Sequence, residues 1–235
     1  MSGYTSGGGL ATNVIDKFPF ASNANATDVG DLTVVRRYLN SGQSSSVSGY
    51  ASGGNIIPGP AVNTIDKFSF ASDSNATNVG VLTVDRQLVS GQSSTVSGYS
   101  SGGSPYVNTI DKFPFATDAN ASDVGDLTVI RYGAAGQSST ASGYASAGYE
   151  VPGLGSNVID KFPFATDTNA TDVGDLTVIR YYVAGQSSTS FGYTSGGATP
   201  PVINTIDKFP FATAGNATDV GDLTVDRRSA AGQQN

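Results

Sequence analysis

The chain has 235 residues, 38% of them hydrophobic and only 13% charged, and carries a net charge of −7. That length allows one large domain or two small ones, with enough apolar content for a core. Every lysine sits in an "IDKF" beside an aspartate, so no basic patch forms, which argues against a nucleic-acid binder.

No apolar run approaches the roughly 20 residues that cross a bilayer, so no membrane partner is expected. The opening "MSGYTSGGGL" has neither the basic start nor the apolar stretch of a signal peptide. It opens directly on repeat text and reads as a domain excised from a longer protein. The lack of cysteine removes disulfides and thiol chemistry and leaves the redox compartment open. The lack of histidine removes the usual general base near neutral pH and the commonest transition-metal ligand, and neither a cofactor nor a metal is expected.

The isoleucine of "IDKF" recurs at Ile15, Ile65, Ile110, Ile159 and Ile206. A period near 47 residues points to a solenoid, a propeller or an array. Apolar residues alternate, Phe18 with Phe20 on one face and Leu32 with Val34 on another, which is the period of a strand and not of a helix. The chain opens on "GYTSGG" (3–8), which matches the second strand of a later unit. One full unit reads as four strands: "GQSSSVS" (42–48), "GYASGG" (49–54), "NTIDKFSFA" (63–71) and "VLTVDR" (81–86). The turn-forming "NAT(D/N)VG" lies between the third and the fourth. Four antiparallel strands at this period make a propeller blade. The chain closes on "AAGQQN" (230–235), the start of a first strand. Pairing that strand into the N-terminal blade would remove an exposed sheet edge. The expectation is a monomeric, all-β, five-bladed β-propeller over residues 1–235.

The order "R…GQSS…GYxSGG…NxIDKFxF…GxLTVxR" resembles the kelch repeat and covers the whole chain in five copies. Its di-glycines are Gly7-Gly8, Gly53-Gly54, Gly102-Gly103 and Gly196-Gly197, with Ala147-Gly148 in the fourth copy. The kelch tryptophan is absent throughout, and five blades are fewer than usual for that family. The wording is also similar to uncharacterised repeat proteins of marine viruses, which implies a virion or extracellular setting. Kelch propellers mostly bind partners and a few are enzymes, so the resemblance speaks to fold more than to function.

Residues common to all copies must solve one packing problem. The aromatic pair Phe18/Phe20 and its equivalents, joined by the tyrosine of "GY" (Tyr4, Tyr50, Tyr99, Tyr144, Tyr193), should fill the space between adjacent blades. Asp16 shares strand parity with the phenylalanines, and Arg36 with Leu32 and Val34. An acid on an apolar face needs a partner. An Asp–Arg or Asp–backbone clamp is therefore expected in every blade, from Asp16, Asp66, Asp111, Asp160 and Asp207 with Arg36, Arg86, Arg131, Arg180 and Arg227. The alternative is a fivefold ligand site. The small residues of "GQSSS" suit innermost strands around a narrow axis lined by serine and glutamine.

Two motifs tempt a functional reading. "DVGD" at 28–31, 123–126, 172–175 and 219–222 supplies oxygen ligands for calcium. The second copy, however, has Asn78 and Val81 in place of both acids, which favours an Asx-type turn. The sequons at Asn25, Asn75, Asn120, Asn169 and Asn216 are one turn copied five times, and read as turn chemistry before glycosylation.

What differs between copies lies in two loop classes. Inserts between second and third strands read "GLAT", "NIIPGPAV", "SPYV", "YEVPGLGS" and "ATPPVI". Links from fourth to first strand read "RYLNS", "QLVS", "YGAA", "YYVA" and "RSAA". In a four-stranded blade both classes emerge on one side, and variation gathered on one face marks a binding face. The candidate ligand-binding residues are Tyr38, Tyr106, Tyr132, Tyr149, Tyr181 and Tyr182, with Ile56, Ile57 and Leu154. Tyrosine offers a large contact area and a hydroxyl for polar partners such as sugars. The expected function is a non-catalytic module for a protein or glycan. A glycosidase would need two carboxylates at a set separation. Outside the shared pattern the acids are mainly Asp85, Glu150 and Asp226, with no pair converging. A symmetric domain without standalone function is a third reading.

Overall fold

The computed structural model describes residues 2–8, 11–39 and 41–232, and among them every regular element is a strand. The first sheet has three strands, β1 (Ser2–Ser6), β2 (Thr12–Pro19) and β3 (Thr27–Arg36). The second has four: β4 (Gly42–Ser44), β5 (Ser48–Ser52), β6 (Thr64–Ser69) and β7 (Thr77–Val81). The third runs β8 (Ser90–Ser93), β9 (Ser97–Ser101), β10 (Thr109–Pro114) and β11 (Ser122–Asp126). A short β12 (Arg131–Tyr132) follows. The fourth sheet holds β13 (Ala135–Ser138), β14 (Ser142–Ser146), β16 (Ser156–Pro163) and β17 (Thr171–Arg180), with β15 (Tyr149–Glu150) in its insert. The fifth holds β18 (Ala184–Ser187), β19 (Phe191–Ser195), β20 (Thr205–Pro210) and β21 (Thr218–Asp222). All pairings within these sheets are antiparallel, each strand beside its sequence neighbour.

β12 pairs with β15 to make a sixth, two-stranded sheet where five blades were expected. It is an extension of a contact present at other junctions as a single bridge: Arg37 with Asn55, Gln87 with Ser104, Tyr181 with Ala198. In each case the link leaving one unit pairs with the insert of the next.

The fourth strand also departs from expectation. In the second, third and fifth sheets it covers the "TDVGD"-type segment, and most of "LTVxR" lies outside it. A bulge sets this register: Ile65 faces Gly80 and Asp66 faces Asn78, so Val79 is passed over. After Val81 the regular ladder ends, though the Leu82 and Arg86 amides still donate to Asn63 and Val62, and Thr83 and Arg86 reach the following unit.

There they form a lock. Arg36 meets Asp66 at 2.9 Å with both side chains fully buried, and Thr33 closes on the same carboxylate through its amide at 3.0 Å and its hydroxyl at 2.6 Å. Arg86–Asp111, Arg131–Asp160 and Arg180–Asp207 repeat it at 2.8 to 2.9 Å. Burial pulls each of these guanidinium groups below its ordinary pKa, and the facing aspartate opposes that pull. The clamp expected within each blade therefore joins consecutive units. Strand parity identifies the face on which the acid lies but not which unit supplies its cation. Asp16 and Arg227 form no such pair. Arg227 is exposed and its side chain donates to the Val225 carbonyl, and Asp16 is half-buried.

The aromatic expectation is realised in the same cross-unit sense. Tyr99 stacks on Phe164 at 4.8 Å and tilts onto Phe162 at 5.5 Å, both in the next unit. Tyr4, Tyr50 and Tyr144 repeat this against Phe68/Phe70, Phe113/Phe115 and Phe209/Phe211. Such contacts contribute about 0.5–1.5 kcal/mol beyond the area they bury.

The first strands β4, β8, β13 and β18 pack side by side in succession. Glycine makes this spacing possible, because a Cβ at Gly136 would strike the carbonyl oxygen of Gly91 in the preceding unit. The glutamines of "GQSS" do not line an open axis. Gln43, Gln92 and Gln137 are buried, and each donates to the next unit, at the carbonyls of Tyr99, Tyr144 and Tyr193. The di-glycines are needed for their backbone: Gly53 and Gly54 have φ of 70° and 105°, a region L side chains rarely adopt. Ala147 holds that conformation at 62°.

The strand expected to close the ring falls on residues 233–235, outside the described ones. Among the described residues β1 pairs with β2 alone, and no pairing joins Gly232 or its described neighbours to β1. Gly232 instead stands against Gly185, while Gly42 faces open space.

Candidate functional site

The link residue between fourth and first strands has the same backbone in every unit: Tyr38, Leu88, Gly133, Tyr182 and Ser229 all have φ between 55° and 65°. This left-handed conformation is rare for a residue with a side chain. Here it is held by a ladder between units. The Leu88 amide donates to the Tyr38 carbonyl, Gly133 to Leu88, Tyr182 to Gly133 and Ser229 to Tyr182, at 2.8 to 3.1 Å. The bridges between links and inserts bring both variable loop classes together beside this ladder.

Five of the six candidate tyrosines converge there. Tyr132 stacks on Tyr149 at 5.1 Å and lies 6.2 Å from Tyr106 and 6.3 Å from Tyr182. Tyr181 meets Tyr149 edge-on at 5.3 Å and Tyr182 at 5.0 Å. The cluster draws one ring from an insert of the third unit, one from an insert of the fourth and three from links. Tyr38 stands outside the ring contacts with the Arg37 guanidinium 4.5 Å over its face, and is near enough to Tyr182 to influence its hydroxyl. Ile56, Ile57 and Leu154 are not part of the cluster. Ile57 and Leu154 are exposed on the inserts of the second and fourth units, and Ile56 is half-buried beside Ile57.

The rings alter each other's chemistry. Burial, then the neighbouring phenols Tyr182, Tyr149, Tyr106 and Tyr181, push the Tyr132 hydroxyl up to about 12. Tyr182 is raised by burial and by Tyr181, with Arg228 opposing. Tyr132 is therefore a neutral hydroxyl at any physiological pH, able to donate and accept. Apolar ring faces edged with such hydroxyls suit a partner that is itself part apolar and part polar. Arg37 and Arg228 escaped the sequence reading, since nothing in "RRYL" or "RRSA" tells that the second arginine of the pair lies by a tyrosine of the loop side.

The tempting motifs resolve into framework. Asp28, Asp123, Asp172 and Asp219 each accept from the amide two residues on, at 3.0 to 3.1 Å, and Asn78 does the same for Gly80. These are Asx turns. The sequon asparagines reach further than a local turn: Asn75, Asn120, Asn169 and Asn216 accept from the amides of Asp31, Val81, Asp126 and Asp175 of the preceding unit. Asp85 and Asp226 are exposed, Glu150 is half-buried beside Arg131, and no hydrogen bond or ion pair among the described residues joins them.

No protein-family model matches the chain, and no curated protein matches it either.

Proposed function

We propose that the five large sheets act as blades of a propeller-like scaffold serving as a non-catalytic binding module. It takes a protein or glycan partner on the side of the variable loops, in a virion or extracellular setting. The succession of packed first strands and the kelch-like order of motifs support the blade reading. The recognition reading rests on one observation: the side chains of Tyr106, Tyr132, Tyr149, Tyr181 and Tyr182, which the repeat does not share among all its copies, gather into one aromatic surface across three units. Framework tyrosines pack between units, whereas these pack on one another, and Tyr106 keeps 57% of its surface exposed. Rigid aromatic side chains on a fixed scaffold give contact area at low entropic cost.

The test is a glycan array with a parallel pull-down, run on the protein and on a variant carrying Tyr106→Ala, Tyr149→Ala and Tyr181→Ala. A ligand held by the protein and lost from the variant is expected. No ligand for either, or a ligand held equally by both, contradicts the reading.

A further inference from the structure

Each of the four interfaces between units has a forward face and a receiving face, and one of each is left over. The forward face of the fifth sheet is open. Arg227 is exposed where Arg36, Arg86, Arg131 and Arg180 are fully buried, and Leu223 is half-buried where Leu32, Leu82, Leu127 and Leu176 are buried. The receiving face of the first sheet is open as well. Phe20 is 42% exposed where its equivalent Phe211 is 8% exposed, and Asp16 is half-buried where Asp66, Asp111, Asp160 and Asp207 are fully buried.

We propose that these two faces bind each other between copies, the fifth sheet of one chain docking head to tail on the first sheet of a second copy. The two faces carry most of the matching groups, with Asn23 standing where Asp73, Asp118 and Asp167 meet a lysine of the preceding unit. Arg227 and Thr224 of one copy would hold Asp16 of the next, as Arg180 and Thr177 hold Asp207. The Asp222 amide would donate to Asn25, as the Asp175 amide donates to Asn216. Tyr193 would stack between Phe18 and Phe20, as Tyr144 does against Phe209 and Phe211. The backbone matches too. Gly232 sits against Gly185 where the first strand of a following sheet belongs, and among the described residues the first sheet has three strands where the other large sheets have four. Gly42, at the same position in the second sheet, has no such neighbour. A copy oriented this way makes a heterologous contact, which propagates until a ring closes or a filament grows.

Sedimentation velocity on the protein and on two variants, Arg227→Glu and Phe20→Glu, tests this. The protein should gain mass with concentration, and each variant alone should stay at the mass of one chain. Mixed one to one, the variants should form a species of twice the chain mass that grows no further. The Phe20→Glu chain keeps an intact forward face and the Arg227→Glu chain an intact receiving face, so one interface forms; the other pairing would set the carboxylate introduced at position 227 against Asp16, so extension stops. That restoration also demonstrates that both variants are folded. A protein that remains single at every concentration, variants that associate as the protein does, or a mixture that stays single would overturn the proposal.

Discussion

Arg131 of the third unit and Asp160 of the fourth are 2.8 Å apart with no exposed side-chain surface on either. Thr128 fills the rest of that carboxylate with an amide and a hydroxyl. The "LTVxR" and "IDKF" motifs recur together because each is half of one contact, and the halves belong to different units.

Removing one partner of a buried pair leaves the other as an uncompensated charge, at a cost of about 3–5 kcal/mol. Asp111→Ala should lower unfolding stability by that amount in a urea titration, since it strands Arg86. Asp16→Ala should change it by less than about 0.5 kcal/mol under dilute conditions, because Asp16 makes no lock. Equal losses from the two substitutions would contradict the cross-unit assignment.

Gly136→Ala should be disruptive, because its Cβ would meet backbone of the preceding unit and not a side chain able to move. Overpacking of this kind costs typically about 1–3 kcal/mol. Gly215→Ala, whose Cβ meets nothing, is the matched control and should lie within about 0.5 kcal/mol of the parent. Thermal melts of the two distinguish them.

Alkaline titration followed by tyrosinate absorbance should show a late phase near 12 that Tyr132→Phe removes. The stability consequence has a definite sign. An unfolded tyrosine ionises near 10, and Tyr132 in the folded chain holds its proton until about 12. The unfolded chain therefore releases that proton first, so stability falls as pH rises from about 10 to about 12 and is untouched below. Lys67 and Lys112, raised by their hydrogen bonds to Asp118 and Asp167, act in the same direction: their contribution is present below about 10.5 and lost above it. A tyrosine titration complete by 11 would contradict the clustered geometry.

Sequon asparagines should contribute to stability without any glycan. Asn169→Ala removes the acceptor for the Asp126 amide and should cost about 0.5–1.5 kcal/mol. Asn25→Ala, whose counterpart amide lies at the open end, should cost less in the same urea titration.

Much of this organisation is legible in the sequence because five copies solve one packing problem. Phe113 and Phe115 declare their face by parity, and Asn78 declares an Asx turn by standing where aspartate stands elsewhere. Parity does not reveal direction, however, so Asp66 reads as a partner for Arg86 of its own unit when it belongs to Arg36. The bulge at Ile65/Asp66 is equally silent in the text, as is the start of the fourth strand at "TNVGV". Gln43 reads as a channel lining because its polarity is visible and its partner, the Tyr99 carbonyl, is not. The tyrosines stood out by breaking the pattern, and their convergence depends on link–insert pairing that only the fold reveals.

The most direct measurement is a pair of double-mutant cycles, Arg131→Ala with Asp160→Ala and Arg131→Ala with Asp111→Ala. The first pair crosses units and the second lies within one. Stability losses should be strongly non-additive in the first, with a coupling of about 2–3 kcal/mol, and additive within about 0.5 kcal/mol in the second. Coupling confined to Arg131 and Asp111 would contradict the account.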